Sequence, residues 1–177
     1  NFQKGYQQEK GHQVIHFRQS FHGRSGYALS LTNTDPAKTD YFPKFNWPRI
    51  SNPKIEFPLT PERLSELEKR ESQAITEIQN ALRNTKDDIA ALIMEPIQGE
   101  GGDNHFRKEF MLKLRELTLE NECMFILDEV QTGIGLTGSM WAAEQLVMPD
   151  MISFGKKAQV CGFMCSSRID EVPENVF

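Results

Sequence analysis

The sequence has little that would tie it to a membrane, a nucleic acid or an oxidising compartment. Three cysteines in 177 residues are too few, and odd in number, for a disulfide framework, so reduced thiols are the default reading. No apolar run approaches the roughly 18 residues of a membrane span. The opening Asn-Phe-Gln-Lys-Gly-Tyr lacks the apolar stretch of a secretory signal. Basic residues number 20 against 25 acidic ones, a formal net charge of −5, and no basic stretch is long enough to follow a phosphate backbone. These shortages predict a cytoplasmic protein with neither a membrane nor a nucleic-acid partner. His12, His16, His22 and His105 are scattered, and Cys161 and Cys165 have no His or Cys pair beside them, so no metal site is predicted. The first residue is not Met and the chain stops abruptly at Asn175-Val176-Phe177, which reads as a piece of something longer.

What is present is an alternation of short apolar runs with helical periodicity. Residues 13–17 read as a strand around Val14, Ile15 and Phe17, running into a loop at Ser20-Phe21-His22-Gly23-Arg24. Residues 32–59, rich in Pro, Asn and Thr, read as a long irregular excursion of the kind usually found at functional surfaces or interfaces. Thr60-Pro61-Glu62 offers an N-cap, a first-turn proline and an acidic first turn. Leu64, Leu67, Glu71, Ile75, Ile78 and Leu82 then recur at helical spacing, predicting a helix over about 61–84. Residues 89–94 form an apolar strand that ends at Glu95-Pro96 and enters a glycine-rich loop. A helix over 107–121, a strand over 124–127 ending in Asp128-Glu129, a helical stretch over 141–146 and a strand over 151–154 ending in Gly155-Lys156-Lys157 complete the pattern. Apolar strands alternating with helices predict an α/β fold, a mainly parallel sheet with helices on both faces.

Polar residues gather just past the strand C-termini: Arg24, then Glu95 and Glu100, then Asp128 and Gln131, then Lys156. In open α/β sheets that edge is where ligands bind. Gly133-Ile134-Gly135-Leu136-Thr137-Gly138 satisfies the dinucleotide fingerprint, but five residues separate it from the strand end and two carboxylates occupy the place of the diphosphate, so that reading is rejected. A carboxylate and a lysine at neighbouring strand mouths could be no more than a salt bridge. Their chemical reading is that an aspartate beside a pyridine nitrogen favours its protonated form, while a lysine partly withdrawn from water can act as an amine nucleophile and carry protons.

Four segments in this order resemble the class III aminotransferases: Phe21-His22-Gly23-Arg24, Glu95-Pro96-Ile97-Gln98-Gly99-Glu100-Gly101-Gly102, Asp128-Glu129-Val130-Gln131-Thr132-Gly133 and Gly155-Lys156. Further stretches, Ser25-Gly26-Tyr27, Phe42-Pro43-Lys44-Phe45 with Trp47-Pro48-Arg49-Ile50, and Phe154-Gly155-Lys156-Lys157, are similar to the branch acting on the terminal amine of L-lysine. The resemblance implies a fold type I large domain, residues 1–177 forming its central part. The N-terminal segment, the turn that cradles the cofactor phosphate and the C-terminal small domain would lie outside the chain. It implies pyridoxal 5'-phosphate as cofactor, L-lysine and 2-oxoglutarate as substrates, and a homodimer with shared active sites.

The implied roles are specific. Lys156 would bind the cofactor covalently, with Lys157 a bystander, and Asp128 would partner the pyridine nitrogen. Phe21 and Val130 would pack the faces of the ring, although both residue types are also common in cores. Gln131 would lie close to cofactor and substrate. Arg24 would bind a substrate carboxylate through its planar fork. Glu100 would be a switch glutamate alternating on and off an arginine outside the chain, and Glu95 would help to shape the site. Alternatives are an ornithine or other ω-amino-acid aminotransferase, a same-fold aminomutase needing no oxo-acid acceptor, and a non-catalytic α/β piece.

Overall fold

The computed structural model describes residues 10–171 other than Lys86. Strand β1 (Gln13–Phe17) opens the chain, and the two-residue β2 (Arg49–Ile50) pairs parallel to it. Helix α1 (Pro61–Asn84) leads to β3 (Ile89–Met94), which turns through a small antiparallel hairpin, β4 (Ile97–Gln98) and β5 (Asn104–His105), into α2 (Lys108–Glu120). Strands β6 (Met124–Asp128), β7 (Met151–Phe154) and β8 (Gly162–Cys165) follow. The sheet order is β2-β1-β3-β6-β7-β8, parallel throughout except for the antiparallel β7–β8 pair.

Alternation along each strand decides where the core lies. Ile15 aligns with Leu92 and Leu92 with Phe125; Met94 aligns with Leu127 and Leu127 with Ile152, so these side chains point to one side. There, with Phe17, they meet Ala74 and Ile78 of α1 and Phe110, Met111, Leu114 and Leu117 of α2 in one buried cluster. Each fully buried aliphatic or aromatic side chain contributes roughly 1.5–3 kcal/mol. Phe125→Ala, in the central strand, is the kind of change that costs about 3–5 kcal/mol. Among the described residues both long helices therefore cover the same face, so the expected helices on both faces are met on one. The other face carries half-buried Val14, Ile93 and Ile126 and, at its C-terminal edge, Asp128 beside Ser153.

Helix α1 starts where its chemistry directs: Thr60 Oγ1 accepts from Arg63 N at 3.3 Å, and Pro61 occupies the first turn. Glu71, which falls on the apolar stripe in sequence, is buried because the Arg107 guanidinium takes both of its oxygens, at 2.9 and 2.6 Å, and ties α1 to the start of α2. Asp150 is a similar anchor at the entry to β7, accepting from Phe125 N, Arg115 and Arg168.

Two sequence expectations are corrected, and one strand is added to them. The 32–59 excursion contains edge strand β2, held by His16 N to Pro48 O and Arg18 N to Ile50 O. The helical stretch expected over 141–146 is a single 3₁₀ turn, Ala142–Glu144. Strand β8, not foreseen, closes the far edge of the sheet.

Candidate active site

The C-terminal ends of β1, β3, β6 and β7 converge on a cleft of about 170 Å³ lined by Phe21, His22, Gly23, Glu95, Glu100, Asp128, Val130, Gln131 and Lys156. Two grooves of about 410 and 400 Å³ lie elsewhere and contain none of these side chains. The smaller space is the candidate site, because there residues far apart in sequence bring a carboxylate, an imidazole, an amide and an amine together.

Asp128 is the last residue of β6 and is buried. Its Oδ1 accepts from Ser153 Oγ at 2.9 Å and Val130 N at 3.2 Å, and its Oδ2 faces His22 Nδ1 at 2.8 Å. Burial alone would push this carboxyl up, but the hydrogen bond and charge of His22, with the Ser153 and Val130 donors, outweigh it and hold the group below its ordinary value. Three donors on two oxygens leave one lone-pair position on Oδ2. Asp128 is thus an ionised carboxylate held rigidly with one acceptor position to spare. His22 is set in turn by its backbone, which donates to Thr32 Oγ1 at 2.9 Å, while that hydroxyl donates to Gly23 O at 2.6 Å. Its Nε2 is buried with no hydrogen-bond partner among the described residues.

Glu95 joins two loops across the cleft. One oxygen accepts from Phe21 N at 2.9 Å and the other from Gly99 N at 3.2 Å, which fixes the aromatic residue and the glycine loop relative to each other. Burial raises its pKa, and Asp128 nearby adds to the rise. The glycine loop needs glycine for close approach: a Cβ on Gly101 would come within 2.0 Å of Gln19 O.

Gly155 closes β7 and delivers Lys156 to the cleft, where Nζ lies 2.5 Å from Gln131 Oε1. Lys157 points elsewhere, donating to the backbone carbonyl of Gln131, and does not line the cleft. Glu129, adjacent to Asp128, is structural. Its buried carboxylate accepts from Thr132 Oγ1, Ala142 N and Ala143 N and caps the 3₁₀ turn. The rejected dinucleotide fingerprint packs for its own reasons, since a Cβ on Gly133 would fall 2.6 Å from the Trp141 ring.

Of the sequence-predicted residues, Lys156, Asp128, Phe21, Val130, Gln131, Glu95 and Glu100 all line the cleft, whereas Arg24 is exposed and does not. Glu100 stands half-exposed at the rim, in an ion pair with Lys38 and 3.4 Å from Thr34 Oγ1. Sequence reading missed His22 as a partner of Asp128, along with Ser153 and Lys38. For His22 the signal was its place inside one of the four recognised segments; Ser153 and Lys38 carried none. No group of three or more His, Cys, Asp and Glu side chains among the described residues is arranged to hold a metal, and none of the described helices is long and apolar enough to cross a membrane.

The chain is similar to known proteins in sequence and in fold. A family profile described as "Aminotransferase class-III" matches residues 1–173. The L-lysine-epsilon aminotransferase of Streptomyces clavuligerus is 53% identical over 166 residues, covering 93% of this chain but 36% of that protein. A 4-aminobutyrate aminotransferase of Emericella nidulans is 40% identical over 153 residues, 85% of this chain and 30% of that protein. The solved structure of the lysine aminotransferase from M. tuberculosis in the internal aldimine form superposes with a TM-score of 0.91 at 49% identity, over 99% of this chain and 41% of that one. The chain thus spans little more than a third of the curated relative it matches best among these three.

Proposed function

The chain belongs to the class III aminotransferases, and from that premise we propose that the protein containing it moves the ε-amino group of L-lysine to 2-oxoglutarate, with pyridoxal 5'-phosphate as cofactor, giving the 6-semialdehyde and L-glutamate. The observation that carries the choice of donor is the 53% identity to an L-lysine-epsilon aminotransferase, against 40% to a 4-aminobutyrate aminotransferase. That second relative also motivates the runner-up, another ω-amino donor. A panel of donors given to the intact protein tests both: preference for 4-aminobutyrate or ornithine over L-lysine would overturn the first.

The residues present fit the cofactor. An ionised, buried Asp128 with one free acceptor position suits a protonated pyridine nitrogen, apolar Phe21 and Val130 suit the ring, and the Lys156 amine faces the same space. Bound there, pyridoxal phosphate supplies an aldehyde and an electron-withdrawing ring that acidifies the carbon bearing the transferred nitrogen. The chain's own contribution is positioning and proton handling. Asp128 would hold a proton on the ring nitrogen, since His22, Ser153 and Val130 keep its own carboxyl below its ordinary pKa. Lys156 Nζ is placed to hold the cofactor through its aldehyde carbon and, as a free amine, would move a proton at the substrate carbon. Gln131 Oε1 steers that amine, and Glu95 keeps Phe21 in place.

On this reading residues 1–177 belong to the cofactor-binding large domain and address the ring, while the phosphate and the α-carboxylate are held by other parts of a cytoplasmic homodimer. Arg24, exposed here, would meet a substrate carboxylate only in that larger assembly.

A further inference from the structure

Among the described residues the cleft is lined by three carboxylates, Glu95, Glu100 and Asp128, and one lysine, Lys156. A dicarboxylate entering it would be repelled unless those charges are answered. Asp128 is met by His22, and Glu95 by two backbone donors. Glu100, outermost of the three by exposure, is answered from outside the cleft by Lys38, at the end of the 3₁₀ turn Pro36–Lys38. That turn is itself fixed, since Asp35 caps it by accepting from Ala37 N at 3.0 Å and Lys38 N donates to Asp35 O at 3.0 Å.

We propose that Lys38 is a specificity-determining positioning residue, which draws the Glu100 carboxylate to the rim and neutralises it so that the cleft admits a dicarboxylate oxo acid. The claim rests on the aminotransferase reading above and deepens it by naming what governs the acceptor. Lys38 touches no reacting atom and acts through Glu100 alone. Both side chains are about one-third exposed, at 33% and 36%. Such a pair is weak enough to open and reform, as a contact that must release Glu100 for a cationic donor requires. Thr34 Oγ1, 3.4 Å from the same oxygen, marks the resting position. Without Lys38, Glu100 presents an unanswered charge at the mouth of the cleft, which repels an anionic acceptor and attracts a cationic donor.

The test uses the intact holoenzyme and glutarate, a five-carbon dicarboxylate that cannot react, with binding measured by calorimetry. Lys38→Ala should weaken glutarate about fivefold, as unmasking one charge at partly solvated range implies, with no increase in KM for the amine donor. Lys38→Arg should restore it. In a Glu100→Gln background, Lys38→Ala should have no effect on glutarate. Equal weakening by Lys38→Ala in both backgrounds, or equal losses for donor and acceptor with a lowered melting temperature, would show Lys38 to be a loop staple and overturn the proposal. The binding readout needs no turnover, so a wild type that ignores L-lysine counts against the donor assignment and leaves this test standing.

Discussion

His22 Nδ1 stands 2.8 Å from Asp128 Oδ2, with 1% and 10% of the two side chains exposed, in a contact that links the β1 loop to the end of β6 across 106 residues. A hydrogen bond to a charged, buried group contributes about 1.5–3 kcal/mol, so its loss should cost roughly 10- to 100-fold in turnover where that charge is used. His22→Phe is expected to lower kcat/KM of the intact enzyme within that range and to raise the pH at which the bound cofactor's absorbance titrates. Unchanged kinetics would mean that Ser153 and Val130 N suffice to hold Asp128.

Lys156 and Lys157 are neighbours with different surroundings. Nζ of Lys156 reaches Gln131 Oε1 inside the cleft, whereas Lys157 is spent on a backbone carbonyl. Lys156→Ala is expected to abolish turnover and Lys157→Ala to leave it within about twofold, the usual range for an exposed surface change. Borohydride reduction of the holoenzyme followed by peptide mapping checks the assignment. A cofactor label on Lys157 would move the site by one residue.

The parts of this architecture legible in sequence were those where local chemistry and tertiary role agree. Helix α1 announced itself through Thr60, Pro61 and the Leu67–Ile78 stripe, and β3, β6 and β7 through apolar runs ending in Glu95, Asp128 and Lys156. Edge strands β2 and β8 did not. The first is two residues long and depends on β1 for its hydrogen bonds, and the second has three exposed residues, Phe163, Met164 and Cys165, and no buried face to impose a period. The 3₁₀ turn at Ala142 exists because Glu129, thirteen residues earlier, caps it, and periodicity does not reveal such a contact. The site followed the same division. Asp128 and Lys156 were visible as strand-end residues, while Lys38 emerged only when the 32–59 segment was seen to reach Glu100.

His16 is fully buried, its Nε2 accepts from Arg49 Nε at 3.2 Å, and its Nδ1 has no hydrogen-bond partner among the described residues. Burial, then the Arg49 charge, lowers its pKa from 6.5 to about 4. Between those values the unfolded chain binds a proton that the folded one refuses. The stability is therefore complete above about pH 6.5 and falls as pH drops toward 4, by about 1–3 kcal/mol in total. His16→Gln should flatten that dependence in denaturant unfolding at pH 7 and 4.5. An identical slope in variant and wild type would place the acid loss elsewhere.

The intact protein is expected to be a homodimer. Tyr27, Phe45 and Trp47 stack in a ladder with neighbouring centroids 5.1 and 5.2 Å apart, and Tyr41 and Phe42 nearby are exposed, an aromatic surface that monomers seldom leave bare. Sedimentation velocity should find a two-chain species that Trp47→Glu shifts toward one chain. A fully active monomer would refute the shared site.

The last expectation concerns Glu100, which under the proposed function would have to suit two unlike substrates. L-lysine presents a terminal amine far from its carboxylate, whereas 2-oxoglutarate presents a carbonyl beside one, so a fixed cation near the ring would misplace the first. On that reading, a carboxylate able to mask such a cation, or to retreat to Lys38, would resolve the conflict. Glu100 is half-exposed at the rim rather than buried, so its contacts belong to the range of roughly 0–1 kcal/mol each and not to the larger cost of a buried pair. The effect should accordingly be selective and moderate. Glu100→Ala is expected to slow the L-lysine half-reaction by about tenfold, the upper end of that range compounded with a misplaced donor. It should leave the glutamate half-reaction nearly intact and admit α-amino donors that the wild type rejects. Single-turnover absorbance changes with each donor read the two halves separately. If Glu100 only braces the glycine loop against Thr34 and Lys38, both halves will fall together, and that result would end the masking argument.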